Sequence, residues 1–537
     1  MTQSTFGHRP LFDQNTTTAA SRQSRAAQSA ARRRLSFKHL SLPVLVMLAA
    51  CGSGSNDTGR IEAGSPLNVQ SVVSTTDGFG AADGTRLIPT TLTNADTSPE
   101  QGSTSQLAGK AIAPNDVCHA ILRQNRTLLS GQENALIPNS AQPALHSAYQ
   151  DPIYHSCIVR VTDNSVSSGR AYRRNDYSRR QAFNADSTYM LIYSLNGYWY
   201  VHDARTMQQV QQLQGPAGAA EAHWHPTDPN LIWYLSRDGV GLEIHQIDVR
   251  TNQSRRISDM RSQVKAIWPS ATTASTRAEG APSADGRYWC FQAERNGGNR
   301  ILGVFTWDMQ AQRIVGSLSL NERPDHVSMS PSGNYCVVSS DGALGTRAYT
   351  RDFQSAHPAT GRPWLQLQRK SEHSDIAIDR NGQDAYVSVD YGAGDIFSVN
   401  LHTGKRTSLF SAYPGRTVTA MHFSGKAYRK PGWVLVSTYA AAHADNPSGN
   451  IRNTSQQQWL HRKMFAVSLD EAATIRPIAH VDSNYVSASD FHSYWTEPHA
   501  TVNPDFTRML FNSTWNSNNA RDVQTYLTAI PEGALDR

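Results

Sequence analysis

The chain has 537 residues, 39% of them apolar or aromatic, with 50 Lys and Arg against 44 Asp and Glu. That is enough apolar chain for a large core, and the mixed charge excludes a highly charged disordered protein. Seven of the basic residues and one acidic residue precede Cys51, so the remainder carries equal numbers of each and has no net attraction for nucleic acid or an anionic membrane surface.

Arg32, Arg33, Arg34 and Lys38 precede the apolar run Leu40–Met47, which is too short to cross a bilayer and is flanked like a secretory signal. The run ends in Leu48-Ala49-Ala50-Cys51, which resembles a bacterial lipobox. The resemblance implies that residues 1–50 are removed and Cys51 is lipidated. Because Gly52 and Ser53 follow in place of Asp, it also implies an outer-membrane lipoprotein, facing the periplasm or the cell surface and touching the membrane through its lipid alone. The long polar stretch before Arg32 suggests a start site further downstream. Residues 51–115 are rich in Ser, Thr, Gly, Asn and Asp and bury too little to offset ordering entropy, so they read as a flexible tether reaching roughly 40 Å. Residues 116–170 read as an N-terminal cap, with a short helix near Cys118–Leu122, followed by a closing strand.

From residue 171 to 537 one pattern returns seven times: an apolar residue, a small or polar pair, a Gly, Asp or Asn turn, then β-formers. The copies lie at Ala182–Asp186, Trp224–Asp228, Pro282–Gly286, Met329–Gly333, Ile378–Gly382, Phe423–Gly425 and Val502–Asp505. Second strands follow, such as Tyr189–Tyr193 and Leu231–Leu235, and third strands end in Asp or Asn before a polar turn, as at Asp203, Asp248, Asp308 and Asn400. Hairpin chemistry repeating every roughly 40–80 residues predicts an all-β fold, a seven-bladed propeller of four-stranded antiparallel blades. No apolar run at helical spacing is expected beyond residue 160.

Apart from Cys51, four cysteines remain, and three pairings are open. Cys290 and Cys336 stand seven and six residues after the aligned Ser283 and Ser330, so opposite strand parity aims them at each other from neighbouring blades. A Cys290–Cys336 bridge leaves Cys118–Cys157 to staple the cap, in keeping with an oxidising compartment; buried free thiols are the alternative.

The residue four positions before the Asn184 column is Arg180, Glu221, Glu279, His326, Asp375, Ala420 and His499 in turn, and six of the seven are ionisable. Such a ring suits a solvated channel mouth. Two positions later, His223 and His422 share the same parity. The ring could converge on one polar ligand, with a divalent metal held by His326, His499 and a carboxylate, or its members could simply pair with one another. Single histidines elsewhere, such as His245, His373 and His461, read as surface or satisfied residues and not as ligands. Tyr177, Trp495 and Tyr494 lie near the same end and suit carbohydrate, with Trp495 as a stacking platform; packing is the competing role for Trp495.

The stretches Glu497–Asp505, Asp325–Gly333 and His223–Asn230 resemble the repeats of TolB-type and WD40-like bacterial propellers. A His opening an inner strand is also similar to the oligogalacturonate lyase group and to seven-bladed ulvan lyases. The likeness spans residues 150–535, but it departs from the lyases in having no compact His/Gln/His cluster in one segment. It implies β-elimination at a uronate, with Arg180 or a His-bound metal neutralising the carboxylate. His326 or His499 would then abstract the proton and Tyr177 or Tyr494 would donate one. The expectation is thus a tethered monomer binding carbohydrate at Glu221, Glu279, Asp375, His223, His422 and Trp495, with lyase chemistry at His326, His499, Arg180 and Tyr177. The alternative is a non-catalytic envelope scaffold for protein partners. No nucleophile elbow, phosphate loop or dinucleotide fingerprint is present.

Overall fold

The recurring Asp or Asn before each polar turn explains how the strands are joined. Asp203, Asp248, Asp308 and Asn400 each accept backbone N–H groups from the residues that follow: Asp308 Oδ1, for example, takes those of Gln310 and Ala311 at 2.9 and 3.0 Å, and Asn400 Oδ1 those of His402 and Thr403 at 3.0 and 2.9 Å. The turn is closed by its own side chain, and the next strand folds back antiparallel.

The computed structural model describes residues 112–536 apart from residue 125 and segments 166–171, 296–299, 446–450 and 485–492. The proposed signal, lipobox and most of the tether lie outside the described residues. Seven antiparallel sheets follow one another along the chain. Blades 1 to 6 are four consecutive strands each, opening on Arg173–Arg174, His223–Trp224, Thr273–Ser275, His326–Met329, Ser374–Ile378 and Thr417–Ser424. Burial shows which edge faces the axis. The opening strands are almost wholly buried, whereas the fourth strands of blades 1 to 3 are exposed or half-buried along nearly their whole length, as at Gln209–Gln212.

Blade 7 joins both parts of the chain. Thr501–Val502, Arg508–Ser513 and Gln524–Ala529 are completed by Cys157–Arg160 and, outside that, Ala148–Gln150. Residues before this hairpin form a strap. Val117 donates to the carbonyl of Arg205 in blade 1, Trp515 of blade 7 donates to the carbonyl of Ser140, and Asn134 reaches the Gln457 carbonyl beside blade 6 at 3.0 Å. His119–Leu122 is a single helical turn, tied to the closing strand by Cys118–Cys157.

The core lies between blades. Leu191, Trp199 and Val201 of blade 1 meet Trp224, Ile232 and Tyr234 of blade 2, and equivalent clusters fill the other interfaces around the ring. Cys290 and Cys336 bridge blades 3 and 4 within one such cluster. One expectation needs correcting. Arg261–Ile267 is a helix, well beyond residue 160. Only Met260, Val264 and Trp268 of this region are apolar and buried, a stripe at spacing four that docks between blades 2 and 3 and is too short to stand out as periodicity.

Candidate functional site

After Arg173–Arg174 the chain leaves blade 1 and returns only at Phe183, through an isolated bridge to Met190. Between these points it crosses the channel. Arg179 donates to the carbonyl of Ser374 and to that of Glu372 (3.3 Å) in blade 5, and to the Glu279 carboxylate in blade 3. Arg180 turns the other way, to Asp176 (2.8 Å), the Ala278 carbonyl (3.1 Å) and His223 Nε2 (2.9 Å). Gln181 donates to the carbonyls of Lys426 and Val502, in blades 6 and 7. This segment spans and plugs the channel, and polar side chains from several blades gather beside it in a partly solvent-exposed pocket.

Three histidines line the pocket on the side of blades 5 to 7. The rings of His373 and His422 are 4.2 Å apart, and those of His422 and His499 are 4.5 Å apart. Glu497 lies among them, 2.8 Å from His422 Nε2 and 3.4 Å from His499 Nε2, and is hydrogen-bonded by Tyr439. Tyr177 packs 5.1 Å from His499, Tyr494 lies 5.0 Å from it, and Tyr439 stacks on His422. On the blade 3 and 4 side, His326 Nδ1 is 3.2 Å from Asp325 and 3.8 Å from Glu279, and Ser371 donates to Asp325 at 2.9 Å. Glu279, Asp325, His373 and Tyr494 are half-buried and open the pocket to solvent, while the other groups are buried.

Burial sets the protonation states. It pushes His373 down to about 4, helped by the Arg179 charge, and it holds His422 and His499 well below the usual imidazole range with help from neighbouring cations and rings. These imidazoles are neutral. Burial also lifts Tyr177, Tyr439 and Tyr494 well above the ordinary phenol range, so they keep their protons, and it raises Glu497 well above the usual carboxyl range. Burial would raise Asp325 too, but hydrogen bonds from His326 and Ser371 and the Arg179 charge outweigh it and hold Asp325 well below the carboxylate range.

The first group fits a divalent cation. His373, His422 and Glu497 each offer a ligand atom within 4.8 Å of the others. His373 donates Nδ1–H to the Met421 carbonyl (3.0 Å), which fixes its tautomer and leaves Nε2 as a donor of electrons. His422 Nδ1 and both ring nitrogens of His499 are buried without a hydrogen-bond partner. Neutral imidazoles with one carboxylate are the donors such an ion takes. Glu279, Asp325 and His326 are likewise within reach of one another, but Arg179 already supplies their positive charge.

The structure thus draws Tyr177, Glu279, His326, His422 and His499 of the expected set to one pocket, with His326 and His499 in different groups of it. Others are committed elsewhere. Glu221 accepts from Thr276 N, Thr276 Oγ1 and Ala278 N, anchoring a loop of blade 3. Asp375 pairs with buried Lys426 at 2.8 Å and caps Gly425 N, and His223 and Arg180 hold each other below the plug. Trp495 is buried against Tyr172 and Val523, with the Arg174 guanidinium 3.9 Å over its ring, so it packs and leaves no open face for a sugar. Sequence reading missed Arg179, His373, Tyr439 and Glu497. His373 and Glu497 sit two positions before Asp375 and His499, with the same parity, and extending the column by one step would have found them.

No protein-family model matches the chain, and no curated protein matches it. Among solved structures, the chain is similar to an oligogalacturonate lyase in complex with manganese, at 15% identity and a TM-score of 0.48 over 72% of this chain and 97% of that one. It is also similar to an oligogalacturonate lyase from Vibrio parahaemolyticus, at 13% identity and a TM-score of 0.49 over the same shares. The WD40 domain of Neurospora crassa Pan2 follows at 10% identity and 0.37, over 69% and 94%.

Proposed function

We propose that the pocket carries out β-elimination on a uronate-containing saccharide. The observation that carries this reading is the meeting, in one solvent-open pocket, of a fixed cation, neutral imidazoles with unpartnered nitrogens and tyrosines that keep their protons. Elimination needs the uronate carboxylate neutralised, the C5 proton removed and the leaving oxygen protonated.

Arg179 receives the carboxylate, in place of Arg180, which faces away. His373, His422, His499 and Glu497 are the residues that would hold a divalent cation, which when bound supplies Lewis acidity to the same carboxylate. His326 shows Nδ1 to Asp325, so its Nε2 lone pair is free to take the C5 proton. The C5–H electrons become the C4–C5 double bond, the C4–O bond breaks, and Tyr177 or Tyr494 gives its proton to the departing oxygen. A scaffold would present an apolar face. Among the described residues, the exposed large apolar side chains are instead spread over the strap (Leu129, Leu136, Leu145), blade 1 (Tyr198, Val210) and the surroundings of blade 2 (Val240, Ile267).

The two disulfides support placement in the cell envelope, with Cys51 as the proposed lipid anchor. The test is the ultraviolet absorbance of unsaturated uronate products, followed over a panel of uronate polysaccharides and oligosaccharides with added Mn2+. Activity on at least one of them, lost in His326→Ala, is expected; silence across the panel would refute the proposal.

A further inference from the structure

His499 stands in an unusual backbone conformation. Its φ is +43°, a left-handed value that costs a non-glycine residue, yet its ring is completely buried and neither nitrogen is hydrogen-bonded, Nε2 having only the Glu497 carboxylate 3.4 Å away. Two asparagines hold it there. Asn175, where the chain leaves blade 1 to form the plug, donates its side-chain N–H to the carbonyls of His499 (2.5 Å) and Leu510 (3.3 Å). Asn512, in the second strand of blade 7, accepts the Asn175 backbone N–H at 2.8 Å and returns a side-chain N–H to the Asn175 carbonyl at 3.2 Å. The Asn512 backbone N–H bonds the carbonyl of Pro498 at 2.8 Å. The carbonyl of His499 is thus held by the Asn175 side chain and that of Pro498 by the Asn512 backbone, while the Asn512 side chain fixes Asn175 in place, and Glu497 and the ring are left to the pocket.

We infer that Asn175 and Asn512 form an amide clamp that positions His499, spending buried hydrogen bonds to keep a strained backbone aimed at the ligand. They are positioning residues, since neither side chain bonds the imidazole. The inference rests on the pocket being the working site. Ordinary packing does not account for the arrangement: a glycine would hold the same backbone without strain, and a His serving structure would have its ring nitrogens bonded.

The test compares Asn175→Ala and Asn512→Ala with Asn184→Ala, a similarly buried asparagine whose side chain makes three hydrogen bonds, set in the strand turn of blade 1 away from the pocket. In the full chain labelled with 15N-histidine, the His499 ring resonances, assigned by their loss in His499→Ala, are expected to shift or split in the first two variants and to stay in place in the third. Mn2+ affinity, from competition with a fluorescent chelator, should fall at least about tenfold in the same two and hold in Asn184→Ala. Unmoved resonances in a folded Asn175→Ala or Asn512→Ala would overturn the clamp, as would equal movement in Asn184→Ala. A wild-type chain that binds no Mn2+ would sink the cation reading of the pocket, and the resonances would still decide the clamp.

Discussion

Lys463 gives the sharpest test of how the ring is closed. Its ammonium is buried between blade 6 and the strap, donating to Tyr154 Oη (2.7 Å) and the Glu133 carbonyl (3.0 Å), with the Glu133 carboxylate 4.0 Å away and itself bonded by Tyr154. Burial, opposed by Glu133 and Asp151, pushes its pKa down from 10.5 to about 8. The unfolded chain therefore holds this proton at pH values where the folded chain has released it, and stability rises with pH between the two values. The full difference corresponds to about 3 kcal/mol, of which about 2 kcal/mol is recovered on going from about pH 7 to about pH 9.5. Lys463→Met keeps the volume, removes the charge and leaves Tyr154 bonded to Glu133. Urea unfolding of both proteins at both pH values isolates this residue, because other titrating groups cancel in the difference. The stability of the variant relative to wild type is expected to drop by about 2 kcal/mol at the higher pH. A difference that stays within about 0.5 kcal/mol, the scale of an ordinary surface change, would refute the buried-cation account.

Other groups of the protein carry further expected outcomes. His202, with Nδ1 on the Met207 carbonyl, is pushed down to about 4 by burial, so its contribution is present above pH 6.5 and lost as pH falls toward 4; His202→Asn should flatten the acid limb of stability by up to about 3 kcal/mol in urea melts. Cys290–Cys336 closes a loop of sequence separation 46, and Cys290→Ser with Cys336→Ser should cost about 4 kcal/mol, read as thermal unfolding with and without reductant. Arg179→Met should lower kcat/KM on a uronate substrate at least about a hundredfold, and His326→Ala by about a hundredfold to ten-thousandfold in kcat, both while keeping the wild-type circular dichroism.

The blades were legible because each strand end carries its own turn chemistry, as Asp308 and Asn400 show, and that chemistry is local. The pocket was only half legible. Counting back a fixed number of residues assumes that every inner strand runs straight to the mouth. It does so for His326, which opens the inner strand of blade 4, whereas Glu279 reaches the pocket from the loop beyond Thr273–Ser275. In blade 1 the inner strand is only Arg173–Arg174, and the plug that follows sends Arg180 to His223 and Arg179 across to Glu279. In blade 6 an irregularity between Val418 and Ala420 breaks the register, leaving His422 as the group that reaches the pocket. Tyr439 comes from a second strand, which no column of first strands includes. For Trp495 the sequence leaves stacking platform and packing both open, because only the folded chain brings Arg174 over its ring.

The most direct test of the central claim is cleavage of a uronate polysaccharide in H218O with the full chain and Mn2+, with products read by mass spectrometry. Elimination draws no oxygen from water, so the account requires products that carry a new double bond and no 18O. Incorporation of 18O at the cleaved linkage, or no cleavage of any uronate polymer, would contradict it.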